Sequence, residues 1–390
     1  MIKSVVSWIS VKVGWNYSID SAVRNAVMRV LTDDKFLGKE QVKNLEKEYC
    51  GYFGRKYAIA VSSATAGLHC AVLASNIGPG DEVIAPPNTD WAILYCILYA
   101  GATPVFCDVE DETMNIDPSM IVKTVTSKTK AILAVSTAGH PADFDPIMEL
   151  ARKHNLKVIH DAAQSLGAKY KGEYSDNCGD ITVTSFNNHK HISSGHVGII
   201  STDNEDLAKT IYMFADAGES LGKDPDPIQS YINPTHQYAE TYGFRYRPSE
   251  LHCAMARVQL KKFIRGPLNP EKRRQVAAYY TKLLNNRLPE IRTPIEKEWA
   301  YHTFLRYIIR VKENRNNLFK HLKRKNITTF IHYAAPLHTY QVFTNRWGSQ
   351  IGRFPVTEKL AQEVLTLPSG GTLTRKQLDY VINSVAEFSK

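Results

Sequence analysis

The chain alternates short, β-rich apolar runs with longer segments of helical character. The runs 58–61, 82–85, 103–107, 131–135, 158–160, 181–185 and 198–201 read as strands, and 66–75, 90–100 and 146–154 between them read as helices. That alternation predicts an α/β fold with a mostly parallel central sheet flanked by helices. Gly266-Pro267-Leu268-Asn269-Pro270 then breaks the pattern, and 271–285 reads as a charged helix leading into a second, smaller α/β domain. The expected organisation is an N-terminal arm and helix over 1–35, a large domain over 36–265 and a small C-terminal domain over 266–390. No internal repeat or low-complexity segment interrupts it.

Composition narrows the class without selecting a function. At 390 residues the chain is long enough for a large core. Its 48 Lys and Arg against 39 Asp and Glu give a net charge of +9, which suits an anionic substrate. A nucleic-acid partner is the rival reading of that charge. There is no basic block with interleaved aromatics, no zinc-ligand spacing and no recognition-helix cluster, so no nucleic acid and no metal is expected. The six cysteines are scattered without a CxxC pair, as free thiols of a reducing, cytoplasmic compartment would be. Residues 1–13 are apolar but broken by polar positions and lack a small-residue cleavage site. They read as a packing arm, not a signal peptide or membrane anchor.

Chemistry concentrates where strands end. Asp161 closes the run Val158-Ile159-His160-Asp161, and Lys190 follows the run that ends at Ser185. A lysine that forms a Schiff base with pyridoxal phosphate needs a carboxylate partner for the pyridinium nitrogen, because only the protonated ring draws electrons from the substrate carbon. These two residues supply both halves of that pair. Upstream, Ser62-Ser63-Ala64-Thr65-Ala66-Gly67 follows a strand and opens a helix. Its free backbone N–H groups and positive dipole end suit a phosphate, although Ser and Thr also cap helices with no ligand present. Sites at the carboxyl ends of strands are the rule in open α/β sheets.

Several motifs in one order carry a resemblance. Val61 to Leu68, Gly78-Pro79-Gly80-Asp81-Glu82-Val83-Ile84, Tyr99 to Phe106, His160-Asp161-Ala162-Ala163-Gln164, Ser185-Phe186 with Lys190, and Gly243-Phe244-Arg245-Tyr246-Arg247 resemble segments of the DegT/DnrJ/EryC1/StrS family. Those proteins are pyridoxal-phosphate aminotransferases of keto sugars and keto cyclitols, with the fold type I architecture of aspartate aminotransferase. The likeness runs from about Phe36 to the C-terminus. It implies that Lys190 and Asp161 are catalytic, and that the large domain binds pyridoxal 5'-phosphate. The cofactor would contact Ala64, Thr65, Trp91, Asp161, Gln164, Ser185, Lys190 and, across a homodimer interface, Arg245. Gln164 would bond the phenolic oxygen of the ring, while Ser185 and the N–H groups of Ala64 and Thr65 would hold the phosphate. The substrates implied are an amino donor, glutamate or glutamine, and a nucleotide-linked or phosphorylated keto sugar or a keto cyclitol.

The sequence departs from the family pattern at four places. Ala64 stands where the turn usually has Gly, His196-Val197-Gly198 replaces an acidic-Gly-Gly run, and Arg245 occupies the place of an Asn that reaches the phosphate of the neighbouring subunit. The aromatic expected over the ring arrives one position late, at Trp91, so either Trp91 comes from a shifted loop or another group covers the ring. The short spacing from Lys190 to Gly195 resembles members acting at C4 of keto sugars or on cyclitols. Members that dehydrate sugars carry His at the lysine position; here Lys190 is kept, flanked by His189 and His191. His302, His332 and His338 resemble segments near the substrate mouth and read equally as structural histidines. A cofactor-binding regulatory protein of the same fold, and a sugar dehydratase, are the alternatives to transamination.

Overall fold

A computed structural model describes residues 19–32, 38–218 and 241–388. The N-terminal arm read over residues 1–13 lies outside them. Seven strands form the central sheet: β1 (Tyr57–Val61), β2 (Glu82–Ala85), β3 (Thr103–Phe106), β4 (Thr129–Val135), β5 (Lys157–Asp161), β8 (Ile181–Ser185) and β9 (Gly198–Thr202). Two short strands, β6 (Lys169–Tyr170) and β7 (Glu173–Tyr174), join β10 (Ala300–Tyr301) in a small ribbon, and β11 (Tyr307–Arg310) pairs antiparallel with β12 (Val364–Leu367). The central order is β1-β9-β8-β5-β4-β2-β3. All neighbours are parallel except β9, which runs antiparallel to both β1 and β8.

Every apolar run of the sequence became a strand, because each is buried by helices on both faces of the sheet. One face packs Ile59, Val83, Leu133, Ile159 and Val183 against the helices Ala64–Ala74 and Trp91–Tyr99. The other sets Ile132, Ala134 and Val158 against Phe144 and Ile147 of the helix Phe144–His154. That helix shows why its sequence stops where it does: Arg152, Lys153 and His154 face the negative dipole end, and Asn155 takes the left-handed conformation at φ 53°.

The antiparallel β9 has a direct consequence for the site. A parallel neighbour would need a helical crossover, whereas an antiparallel one needs only a loop. Residues 186–197 make that loop and carry Lys190, closed by the bond from Phe186 N–H to Val197 O at 2.8 Å.

The smaller C-terminal α/β part has its own core, in which Tyr280, Leu284, Tyr307, Ile309, Leu365, Val381 and Ile382 pack together. The chain does not stay there after Gly266. Leu337, Phe343 and Phe354 return to the core of the central sheet, where Phe343 meets the ring of Phe106 at 4.9 Å. The helix Ser21–Thr32 lies against the helix Glu250–Arg265, with Asp20 and Lys262 paired at 2.6 Å.

Candidate active site

The carboxyl ends of β1, β5 and β8 open onto one cavity of about 480 Å³. Seven of the eight residues singled out in the sequence line it: Ala64, Thr65, Trp91, Asp161, Gln164, Ser185 and Lys190.

At one end, the turn after β1 starts the helix Ala64–Ala74. Ser63 caps it by accepting the Ala66 N–H at 3.1 Å, which leaves the amides of Ala64 and Thr65 free of any intrahelical bond. Ala64 is not among the residues with positive φ, so its methyl in place of glycine carries no backbone strain. Gly198 at the start of β9 is the glycine this end requires. A Cβ there would lie 2.6 Å from the carbonyl carbon of Ser63 and 2.7 Å from Ala64 N. Ser185 faces the same end and accepts the Asn187 N–H at 3.3 Å.

Asp161 and Lys190 sit deeper. Asp161 is 3% exposed and accepts the Ala163 N–H at 2.9 Å. Burial raises its carboxyl to about 6, against the opposing pull of Lys190 and of that amide. Burial likewise brings Lys190 down to about 8; the Arg306 cation adds to the fall, while Asp161 and Asp90 resist it. The two groups are close enough to shift each other's proton affinity.

Trp91 opens the helix Trp91–Tyr99, whose cap Asp90 accepts the Ala92 N–H at 3.1 Å. The aromatic that arrives one position late in the sequence therefore still reaches the cavity, with 44% of its surface exposed. His196, the bulky member of the altered loop, also lines it and lies 3.4 Å from the amide nitrogen of Asn187.

Arg245 stands apart. It is exposed, bridges to Asp216 along the backbone and does not line this chain's own cavity. Of the histidines near the expected substrate mouth, His332 lines the cavity and bonds Thr366 at 2.9 Å, while His302 stacks on Phe304 away from it.

The C-terminal part supplies a second wall: Arg306, Phe330, Thr366 and Ser369, which motif reading did not identify, together with His332 and Tyr333 from the segment 332–338 that resembles the family's substrate mouth. Gln164 is the seam between the two walls. Its carbonyl accepts Ala138 N–H at 3.1 Å and Arg306 Nη1 at 2.5 Å, and its amide nitrogen donates to the Tyr333 hydroxyl at 3.2 Å. The signal for Arg306 was a lone cation inside the apolar run Phe304-Leu305-Arg306-Tyr307-Ile308-Ile309.

Comparison with known proteins decides the family. The profile of the DegT/DnrJ/EryC1/StrS aminotransferase family matches residues 17–386. The chain belongs to that family. It is 35% identical over 368 residues to a pleiotropic regulatory protein of Geobacillus stearothermophilus, covering 93% of this chain and 94% of the relative. Among solved structures, DesV of S. venezuelae in complex with a ketimine intermediate superposes with a TM-score of 0.85 at 30% identity, over 94% of each chain. NtdA of Bacillus subtilis with bound cofactor PMP gives 0.83 at 29% identity, over 97% of this chain and 85% of that one. The fold is that of the fold type I aminotransferases.

Family members bind pyridoxal phosphate or its amine form, and the residues present fit such a group. A capped helix start with free amides lies beside a strand held close by Gly198. A buried carboxylate and a lysine of lowered proton affinity open onto the same cavity.

Proposed function

We propose that the protein is a pyridoxal-phosphate-dependent aminotransferase that moves an amino group from glutamate or glutamine to a keto sugar or keto cyclitol. The single observation that carries this reading is the convergence on one cavity of Asp161 and the Ser63–Thr65 helix start, at the carboxyl ends of β5 and β1, with Lys190 on the loop after β8. When bound, the cofactor supplies a pyridinium ring that stabilises negative charge on the carbon next to the substrate nitrogen.

The chain's own residues do the rest. Lys190 would hold the cofactor through its amine and, when free of it, would carry a proton to and from the substrate carbon. Its lowered proton affinity keeps a usable share of neutral amine near pH 7. Asp161 holds the proton on the ring nitrogen by charge pairing. Ala64, Thr65 and Ser185 take the phosphate with N–H and O–H donors. Trp91, at the cavity wall, would pack against the bound cofactor. Arg245, turned away from its own cavity, acts on the phosphate of a second copy in a homodimer, so dilution to monomer releases cofactor and activity together.

The regulatory name of the Geobacillus relative favours a second reading, a cofactor-binding regulator without turnover. The experiment that separates the two is borohydride reduction of the holoprotein with peptide mapping, followed by glutamate addition to unreduced protein. Label on Lys190 and loss of the lysine-linked absorbance on adding glutamate support the enzyme. Label without any response to glutamate or glutamine supports the regulator, and label elsewhere removes both Lys190 assignments.

A further inference from the structure

A second recess, of about 440 Å³, lies on the seam between the large domain and the C-terminal part, outside the cofactor cavity. Much of its lining is apolar. Met114 comes from the loop after β3, and Ile291, Pro294, Ile295 and Ile308 come from the C-terminal part. Two acids and two arginines, Asp111, Glu112, Arg292 and Arg310, complete the charged lining. The acids are already matched. Asp111 meets Arg310 at 2.9 Å, Arg292 at 3.0 Å and Lys359 at 3.4 Å, while Glu112 pairs with Lys297. One carboxylate thus serves three cations, of which Arg310 alone has another acid, Glu363 at 2.7 Å.

Arg292 therefore keeps donors to spare. Its Nη1 bonds Asp111 at 3.0 Å, but among the described residues its Nε and Nη2 bond nothing, on a side chain that is 49% exposed. Asn285, on the helix Glu271–Arg287, also lines the recess. Its side-chain oxygen accepts the Thr293 hydroxyl at 3.1 Å, and its amide nitrogen has no partner among the described residues. An apolar surface edged by a guanidinium and a primary amide, both with N–H groups free, fits a molecule with an apolar body and one carboxylate. A cation would find only acids that are already paired. A neutral sugar would lay its hydroxyls on aliphatic side chains.

One strand joins this recess to the cofactor cavity. Side chains alternate along β11, so Arg306, Ile308 and Arg310 share a face while Tyr307 and Ile309 enter the C-terminal core. Arg306 lines the cofactor cavity, and Ile308 and Arg310 line the recess. A narrow chamber of about 10 Å³, bounded by Met114, Ala138, Arg306 and Ile308, lies between the two. We propose that the recess is an effector site for a small amphiphilic carboxylate, and that its occupancy is felt through β11 at Arg306 and so at the cofactor cavity. Only the coupling rests on the aminotransferase reading, since it takes that cavity as the cofactor seat.

The test titrates 4-phenylbutyrate, with 4-phenylbutanol as its uncharged counterpart, into the cofactor-loaded protein by calorimetry. The carboxylate should bind once per chain with a dissociation constant below about 1 mM, and at least about tenfold more tightly than the alcohol, the scale of a charge-assisted hydrogen-bond pair. Arg292→Ala should remove that preference, and Thr293→Trp, which fills the recess from its lining, should abolish binding of both. With the site saturated, the half-saturating concentration of pyridoxal phosphate for the cofactor-free protein should shift at least about twofold, and the cofactor should shift phenylbutyrate affinity by the same factor. No binding, no preference for the carboxylate, or binding that both variants leave intact overturns the site. Binding at Arg292 without the reciprocal shift overturns the coupling. Absence of borohydride label at Lys190 would instead overturn the aminotransferase reading, and phenylbutyrate binding that depends on Arg292 would still stand.

Discussion

The two walls of the cavity are built in different ways. On the sheet side, Ser63, Asp161 and Ser185 each lie within two residues of a strand end, and Lys190 sits on the loop that joins two paired strands. Their positions are fixed by ladder hydrogen bonds and a buried core. On the C-terminal side, Arg306, His332, Tyr333 and Thr366 are brought together from β11, β12 and the intervening segment, and cross-contacts hold them: Gln164 to Arg306, His332 to Thr366, Thr303 to Gly139. A cofactor common to a whole family needs a rigid, repeated seat; a substrate that differs among members needs a wall whose residues change without disturbing the sheet. In this chain Asp161 and Lys190 belong to the first wall and Arg306 to the second.

Substitutions on the two walls should therefore fail differently. The largest effect is expected for Lys190→Ala, which removes nucleophile and proton carrier together. Turnover should fall by at least about 10³-fold while the protein stays folded, as single-turnover rates and circular dichroism would show. Asp161→Asn keeps shape but not charge, so cofactor should remain bound while proton transfer slows roughly 10²-fold. Near-normal turnover in Asp161→Asn would mean that another group serves the ring nitrogen.

Loading of cofactor offers a sharper comparison, because it reads Lys190 before any substrate arrives. The neutral amine is the reacting form, and a lowered folded-state value means that it accumulates as pH rises through about 8. The rate of pyridoxal phosphate uptake by the cofactor-free protein should climb from pH 7 and level off above that value, where an ordinary lysine would still be climbing at pH 10. In Arg306→Met the inflection should move up, since a neighbouring cation has been removed; the C-terminal wall would thus be seen acting on the sheet wall. The smallest effect is expected for Gly198→Ala. Its methyl meets backbone 2.6 Å away, so the helix start must shift, costing about 1–3 kcal/mol of stability and loosening phosphate retention with little change in glutamate affinity. Thermal melting and a cofactor titration would measure both.

The same division explains how much was legible in the sequence. Local signals sufficed for the sheet wall: the run 181–185 became β8 residue for residue, and the caps at Ser63 and Asp90 lie at the turns that begin their helices. Seven named site residues reached one cavity because each is adjacent to an element that a short pattern defines. The antiparallel direction of β9 was not legible, since a five-residue apolar strand looks the same whichever way it runs. Arg306 escaped for a similar reason, as did its pairing with Tyr333, which lies in the segment the sequence already placed near the substrate mouth. What makes them a pair is a contact through Gln164, over a hundred positions earlier in the chain, and no local periodicity encodes that. Arg245 was named from its neighbours in sequence, and the fold leaves it exposed, outside this chain's own cavity.

The return of Leu337, Phe343 and Phe354 to the central sheet ties the architecture to the order of synthesis. A nascent chain that has emerged only as far as residue 265 holds all seven strands but lacks Leu337, Phe343 and Phe354, leaving Phe106 without the two rings that pack on it. The sheet can therefore be assembled early and sealed late. Truncation at the glycine-proline break should leave that apolar surface uncovered, so the break reads as a boundary in the sequence without separating two self-contained cores.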